Sequence, residues 1–280
     1  MPELPEVETT LRGIKPYLEQ QEIRYITLRH SQLRWPIPAD IAVKLSGQKI
    51  TQLRRRGKYL LLTLSGGTLI LHLGMSGRLK ILQEPAPPPQ KHDHVDIGFA
   101  NGVLLRFTDP RRFGAILWHD GDPSQHALLK NLGPEPLERN FSGQYLWQLA
   151  RSRKLPIKSF IMDAKVVVGV GNIYANEALF LAGIHPLASA ASLSLVQYNE
   201  LVTAIKTVLR LAIKQGGTTL KDFYNSEGKP GYFATQLTVY GRDGLPCLRC
   251  KTVLQSLRIA QRSTVYCPKC QSIPSFLLSS

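Results

Sequence analysis

Apolar residues recur at helical spacing from the start of the chain: Val7, Leu11, Ile14 and Leu18 share one face of a segment from Pro5 to about Leu18. Glu3, Glu6 and Glu8 put carboxylates where a helix N-terminus is positive. Residues 22–35 are mixed with a β lean, and Ala39–Leu45 predicts a short helix stopped by Gly47. The clearest strands follow. Lys58–Leu64 and Thr68–Leu73 are joined by the hairpin turn Ser65-Gly66-Gly67. After a proline-rich loop at Glu84–Pro89, Val95–Phe99 and Val103–Phe107 flank Asn101-Gly102 as a second hairpin, and Ala115–His119 adds a further strand. The first half is a β-rich domain of hairpins, a sandwich or a barrel, with a helix laid against it.

The pattern changes at Gly133-Pro134-Glu135-Pro136, which reads as a linker. Gln144–Ala150, Pro156–Met162 and Asn172–Ala182 predict helices. The strongest helix spans 195–214: Ser194 and Gln197 form a capping box, and Tyr198, Leu201, Val202, Ile205, Val208, Leu209, Ala212 and Ile213 make one apolar stripe ended by Gly216-Gly217. Lys206, Arg210 and Lys214 recur on another face and read as a solvated row. Gly217–Gly231 is polar and glycine-punctuated without periodicity, as in a mobile functional loop or a disordered one.

At 280 residues and 43% hydrophobic content the chain is long enough for two domains. It has no apolar run of bilayer length and no basic-then-apolar signal pattern, so the expectation is a cytosolic protein outside the membrane. The net charge of +15 favours a polyanionic partner, nucleic acid or an anionic membrane surface. The bias is uneven: residues 1–140 carry 19 basic against 14 acidic residues, and residues 141–280 carry 16 against 6.

Several groups of residues then carry chemistry. With Met1 trimmed, Pro2 presents a secondary amine, which titrates near pH 8, roughly, and is partly nucleophilic at neutral pH. Glu3 is tied to it by one peptide unit, so the two form a nucleophile and a proton shuttle. Cys247-x-x-Cys250 and Cys267-x-x-Cys270 use all four cysteines at the spacing of a closed, structural zinc site; disulfides do not persist in a reducing cytosol. Between the knuckles Arg258, Gln261, Arg262, Ser263 and Thr264 present cations and hydroxyls suited to phosphate. Arg54-Arg55-Arg56-Gly57-Lys58 leads into a strand, which fixes its last cation on a rigid frame.

In Asp109-Pro110-Arg111-Arg112-Phe113-Gly114, Arg111 and Phe113 are two apart and point the same way in an extended segment. Met75 sits between glycines at Gly74-Met75-Ser76-Gly77. An apolar wedge and a cation at loop tips suit the opening of a base stack; core packing of Met75 and Phe113 is the plainer alternative. Val166–Asn172 is a glycine turn opening onto a helix N-terminus rather than a dinucleotide fingerprint, because Tyr174 occupies the third glycine position. His92-Asp93-His94 lacks a third metal ligand nearby and suits a structural or phosphate-contacting role.

The motifs Pro2–Glu8, Gly57–Leu60, His72–Gly77, Asp109–Gly114, Gly169–Tyr174, Gly216–Phe223 and the terminal four-cysteine finger occur in the order seen in formamidopyrimidine-DNA glycosylases. The resemblance runs from residue 2 to about 270. It implies an α+β fold: an N-terminal catalytic β-sandwich with a flanking helix (1–133), a helical helix–two-turn–helix DNA-binding domain (134–240), and a four-cysteine zinc-finger hairpin with a tail (241–280). It further implies one structural zinc ion per chain and a monomeric, cytoplasmic, nucleoid-associated enzyme acting on damaged double-stranded DNA.

The implied activity is base-excision repair. An oxidised purine, 8-oxoguanine or a formamidopyrimidine, is flipped out and removed through a Pro2 Schiff base, and the abasic site is cleaved by β,δ-elimination. The resemblance assigns Pro2, Glu3, Lys58 and Arg262 to catalysis, with Lys58, His72, Asn172 and Arg262 clamping phosphates. Met75, Arg111 and Phe113 fill the void, Arg111 meeting the orphaned cytosine. His92 and Lys154 contact DNA, and Glu6, Thr218, Thr219 and Tyr232 lie at the lesion pocket under a loop at 217–233. The rivals are an endonuclease VIII-type glycosylase for oxidised pyrimidines, against which Leu4 and the Arg111/Phe113 pair lean, and a noncatalytic DNA-binding protein.

Overall fold

The structure is a computed structural model that describes residues 2–218 and 236–272. The chain divides into two compact units, residues 1–131 with 215–234, and residues 132–214 with 235–280.

The first unit opens with α1 (Leu4–Leu18), which buries Leu4, Val7, Leu11, Ile14 and Leu18 and carries a proline in its first turn, where the missing N–H costs nothing. Two antiparallel four-stranded sheets follow. One has the order β2 (Gln52–Arg56), β3 (Tyr59–Leu64), β4 (Gly67–His72) and β8 (Ala115–His119). The other has the order β1 (Ile23–Leu28), β6 (Asp93–Phe99), β7 (Val103–Thr108) and β5 (Arg78–Gln83). Two separate sheets sharing one core make this a sandwich, not a barrel: Leu60, Leu62, Leu69 and Leu71 from one meet Val95, Ile97, Phe99, Leu105 and Phe107 from the other, and the apolar stripe of α1 joins them. The short helix α2 (Ile41–Leu45) buries its two ends, Ile41 and Leu45.

Two of these strands have weak sequence signals. In β2 only Leu53 is buried, and the charged run around it pairs because the β3 ladder supplies its hydrogen bonds. Strand β5 is mixed in polarity and owes its place to pairing with β7. Lys58 consequently sits in the two-residue turn between β2 and β3, not inside a strand, and Arg54–Arg56 belong to β2 itself. Of that run, Arg55 is committed to structure through Glu8, which accepts from its Nε at 2.9 Å.

The second unit contains α3 (Gly143–Ala150), α4 (Ile157–Met162), α5 (Asn172–Leu181) and α6 (Leu195–Lys214), with α6 packed on α3 and α5. The Ser194/Gln197 box caps α6 through reciprocal bonds of 2.9 and 3.2 Å. Lys206 is not simply solvated: its Nζ donates to Glu138 O at 2.9 Å and lies over the Phe141 ring. Strands β9 (Gln255–Ile259) and β10 (Arg262–Tyr266) form the terminal hairpin, whose turn residues Ala260 and Gln261 both adopt positive φ (47° and 62°), as a tight two-residue turn requires. That hairpin is tied to the helices. Lys158 of α4, buried at 1% exposure, donates to Ser263 O (3.0 Å) and Thr264 Oγ1 (2.6 Å), and Val265 N donates to Asn176 Oδ1 of α5 (2.8 Å). The Thr264 hydroxyl therefore faces inward and is not presented at the surface. Glu177 of α5, also buried, accepts from the amides of Thr238, Val239 and Tyr240 at 2.8–2.9 Å and so anchors the chain entering the finger.

No described helix is long and apolar enough to cross a membrane.

Candidate active site

Pro2 and Glu3 are buried at the start of α1. Glu3 is the N-cap residue, in a reciprocal capping box with Glu6: the Glu3 side chain accepts from the Glu6 amide, and Glu6 Oε2 accepts from Glu3 N at 2.8 Å. The other Glu6 oxygen accepts from Thr218 N, also at 2.8 Å, across 212 residues of sequence. Gly217 precedes that contact at φ +83°, and a Cβ there would lie 3.1 Å from Glu6 Oε1, so glycine serves both the backbone and the approach. The geometry thus gathers Pro2, Glu3, Glu6 and Thr218. Thr219, Tyr232 and Met1 lie outside the described residues, as does most of the 217–233 loop.

In the same unit, His72, Met75, Arg111 and Phe113 line one cavity of about 650 Å³, with Arg34 and Arg112 on its wall. Phe113 is 44% exposed, which excludes core packing as its role, and the Arg111 guanidinium lies 5.0 Å from its ring centre. Met75 is half-buried. His72 Nδ1 accepts from Gly74 N at 2.9 Å, which leaves Nε2 to carry the proton of a neutral ring. Burial, reinforced by the positive charges of Lys58 and Arg34, pushes the His72 pKa down to about 4. His72 is therefore an uncharged donor at physiological pH.

His92 belongs to a second cavity, about 380 Å³, ringed by Arg29, His30, Lys91, His94 and Arg112. The intervening Asp93 faces the core, bonded to Thr108 Oγ1 and close to Arg106. Among the described residues, the group able to hold a metal is the four cysteines, not these histidines.

In the second unit, Asn172 begins α5 and donates from Nδ2 to Ser263 O at 3.1 Å, beside the exposed Arg262 at the start of β10. Lys154 is exposed in the loop before α4. The four sulfurs lie within 4.8 Å of one another, with Cys247–Cys270 at 4.0 Å and Cys250–Cys267 at 3.4 Å. Tetrahedral Zn–S bonds of about 2.3 Å put sulfurs about 3.8 Å apart, so the donor set fits zinc. The electrostatics agree. Hydrogen bonds from Thr252 bring Cys250 down to about 6, whereas burial and the neighbouring sulfurs push Cys270 up to about 12, a crowding that a divalent cation relieves.

Residues 1–116 match the formamidopyrimidine-DNA glycosylase N-terminal domain, residues 132–224 its H2TH domain, and residues 244–273 the zinc finger found in FPG and IleRS. The formamidopyrimidine-DNA glycosylase of Pseudomonas aeruginosa (strain LESB58) is 56% identical over 97% of this chain and all of its own length. The chain belongs to the formamidopyrimidine-DNA glycosylase family. That of Acidithiobacillus ferrooxidans (strain ATCC 53993 / BNL-5-31) is 55% identical over the same shares. Among solved structures, a Lactococcus lactis FPG mutant in complex with Fapy-dG-containing DNA superposes with a TM-score of 0.90 at 33% identity, over 97% of this chain and all of that one. The MutM (FPG) protein of Thermus thermophilus gives 0.87 at 36%, over 98% and all. This formamidopyrimidine-DNA glycosylase is a bifunctional glycosylase and abasic-site lyase with a structural zinc finger.

Sequence reasoning passed over Arg34, which carries no motif; it lines the cavity, and its amide donates to Gly114 O at 3.1 Å. It also passed over Lys158, which no motif in the predicted helix at 156–162 marks, and Ser76 and Asp109, which were visible only as parts of their motifs.

Proposed function

We propose that Pro2, once terminal, attacks the C1′ carbon of a flipped oxidised purine nucleotide in duplex DNA, with 8-oxoguanine or a formamidopyrimidine opposite cytosine as substrate. The N-glycosidic bond breaks as the N–C1′ bond forms; the base leaves with the electron pair and takes up the proton that the attacking secondary amine gives up. Glu3 protonates the sugar ring oxygen as the ring opens. Because proline is a secondary amine, the resulting iminium is cationic without protonation, and it acidifies the C2′ proton. Loss of that proton expels the 3′ phosphate; a second elimination expels the 5′ phosphate. Hydrolysis then frees the amine.

Lys58, His72, Asn172 and Arg262 hold phosphates around the lesion, with His92 and Lys154 as further contacts to DNA. Glu6, Thr218, Thr219 and Tyr232 enclose the base. Met75 and Phe113 enter the stack it leaves, and Arg111 meets the cytosine. Residues 1–133, 134–240 and 241–280 act as catalytic, DNA-binding and finger domains of a monomer working in the cytoplasm on nucleoid DNA.

The observation that carries this reading is the burial of Pro2 and Glu3 at a helix start pinned by Glu6. Pinning holds an amine and a carboxylate in one place, which a frayed terminus does not. The relatives support the substrate class, since solved Lactococcus lactis Fpg complexes contain Fapy-dG DNA and abasic-site DNA.

Borohydride trapping on an 8-oxoguanine:cytosine duplex tests it. The protein with Pro2 at its terminus crosslinks to DNA, and the form retaining Met1 does not. Pro2→Gly forms a primary-amine imine and is trapped more slowly. Absence of any adduct with the processed protein would refute the Pro2 mechanism and favour a mere binder. Faster excision of an oxidised pyrimidine than of 8-oxoguanine would favour the endonuclease VIII-type assignment.

A further inference from the structure

The segments bearing Met75 and the Arg111/Phe113 pair are neighbours for a topological reason. Residues 73–77 lead from β4 in one sheet to β5 in the other, and residues 109–114 lead from β7 back to β8. Since β4 pairs with β8 and β5 with β7, with His72 opposite Ala115 and Arg78 opposite Thr108, the two crossings run side by side at one end of the sandwich. Their backbones touch: a Cβ on Gly74, which sits at φ +60°, would collide with the Phe113 carbonyl.

One hydroxyl joins them. Ser76 Oγ donates to Asp109 Oδ1 at 2.7 Å and accepts from Arg111 N at 3.1 Å. The proton direction is forced, because a carboxylate here accepts and an amide donates. The other Asp109 oxygen accepts from Gly114 N at 2.8 Å, and the Asp109 carbonyl accepts from Arg112 N at 3.2 Å and meets His94 Nε2 at 2.8 Å. Asp109 is 0% exposed and Ser76 6%, so water does not compete for these bonds. Asp109 thus holds both ends of the Arg111–Phe113 tip, and Ser76 fastens the Met75 turn to it. Neither side chain is aimed at the cavity that Met75, Arg111 and Phe113 line.

We infer that Ser76 and Asp109 are positioning residues for opposite-base selection: their clasp makes the Met75 wedge and the Arg111/Phe113 pair one rigid body, so that the base facing the lesion is read by a guanidinium that cannot shift to suit another partner. The inference rests on the proposed assignment of Arg111 to the orphaned base. Discrimination between cytosine and adenine requires a donor set held in place, and a misplacement of about 1 Å costs on the order of a hundredfold.

Single-turnover excision of 8-oxoguanine opposite cytosine and opposite adenine, with trapping on an abasic duplex as reference, tests it. Ser76→Ala is expected to lower the cytosine-to-adenine rate ratio about tenfold or more while the abasic-site trapping rate stays within about threefold of native. Ser76→Thr, which retains the hydroxyl, restores the ratio. Asp109→Asn, which retains one acceptor oxygen and loses the other, lowers it in the same direction and carries the comparison should Ser76→Ala fail to fold. A native ratio in Ser76→Ala, or an equal fall in all three rates as expected of general loosening, overturns the clasp and leaves the Pro2 mechanism standing. A native enzyme trapped on abasic DNA but indifferent to the opposite base overturns the Arg111 assignment and the clasp together, and one that is never trapped overturns the mechanism itself.

Discussion

Replacing Glu6 by glutamine tests the link between the start of α1 and residue 218. Glu6 is 2% exposed and spends each carboxylate oxygen on one backbone amide, Glu3 N and Thr218 N, both at 2.8 Å. Glutamine keeps the length and shape but has only one acceptor oxygen, so whichever way its amide turns, an NH₂ group faces an N–H. A hydrogen bond to a charged group contributes about 1.5–3 kcal/mol, and a buried donor left without an acceptor costs about 1–3 kcal/mol. Relaxation of the turn recovers part of this, so the expected loss is about 3 kcal/mol. At about 2–4 °C per kcal/mol for a body of this size, the melting temperature falls by about 6–12 °C. Because one of the two amides belongs to Glu3, the borohydride-trapping rate falls as well, by about tenfold or more, even well below the new transition. Scanning calorimetry and a trapping time course on the same preparation check both. A Glu6→Gln protein that melts within about 1 °C of native and is trapped at the native rate would refute the argument.

The remaining predictions concern other parts of the molecule. The His72 resonance titrates with a midpoint near 4 by NMR, not near 6.5, because burial disfavours the charged ring. The unfolded chain then takes up that proton first as the pH drops, so the His72 contribution to stability is complete above about pH 6.5 and declines between 6.5 and 4; a midpoint above 6 contradicts this. Lys158→Met keeps the packing of α4 but removes the donor to Ser263 O and Thr264 Oγ1, and should cost about 2 kcal/mol of stability by denaturant titration; an unchanged midpoint would show the ammonium to be idle. Metal analysis should find one zinc per chain, and stripping it with a strong chelator should abolish tight DNA binding; a stoichiometry of zero or two contradicts the four-sulfur site. Logarithmic plots of affinity against salt should slope at about −2 to −3, because the cations Lys58, Arg262 and Lys154 displace counterions and the neutral His72 and Asn172 do not; a flat plot would exclude the clamp.

What could be read from residues alone was whatever depends on neighbours in the chain. The apolar stripe of 195–214 and its Ser194/Gln197 cap involve positions three and four apart, and they predict α6 to its ends. The cysteine pairs sit three apart within a knuckle, a spacing that suits one metal before any fold is known. Pro2 and Glu3 are covalently adjacent, so the candidate nucleophile and proton shuttle were visible at once. The strands with clear apolar runs were legible too, whereas β2 and β5 were not, because a half-polar strand is stabilised by the ladder it joins, and that ladder lies elsewhere in the sequence.

Only the tertiary structure decided which polar groups meet. Glu6 reads in the sequence as an acid complementing a helix dipole, and it becomes a bridge only because Thr218, 212 residues away, returns to it. Lys158 carries no signal in the sequence and gains a role only where Thr264, 106 residues on, accepts from it. Ser76 and Asp109 are 33 residues apart and meet because two crossings of the sandwich share one end. Chemical identity is a local property of the chain, but a buried hydrogen bond gains its strength and direction from the dry, rigid surroundings that folding assembles, and those have no counterpart in the order of the residues.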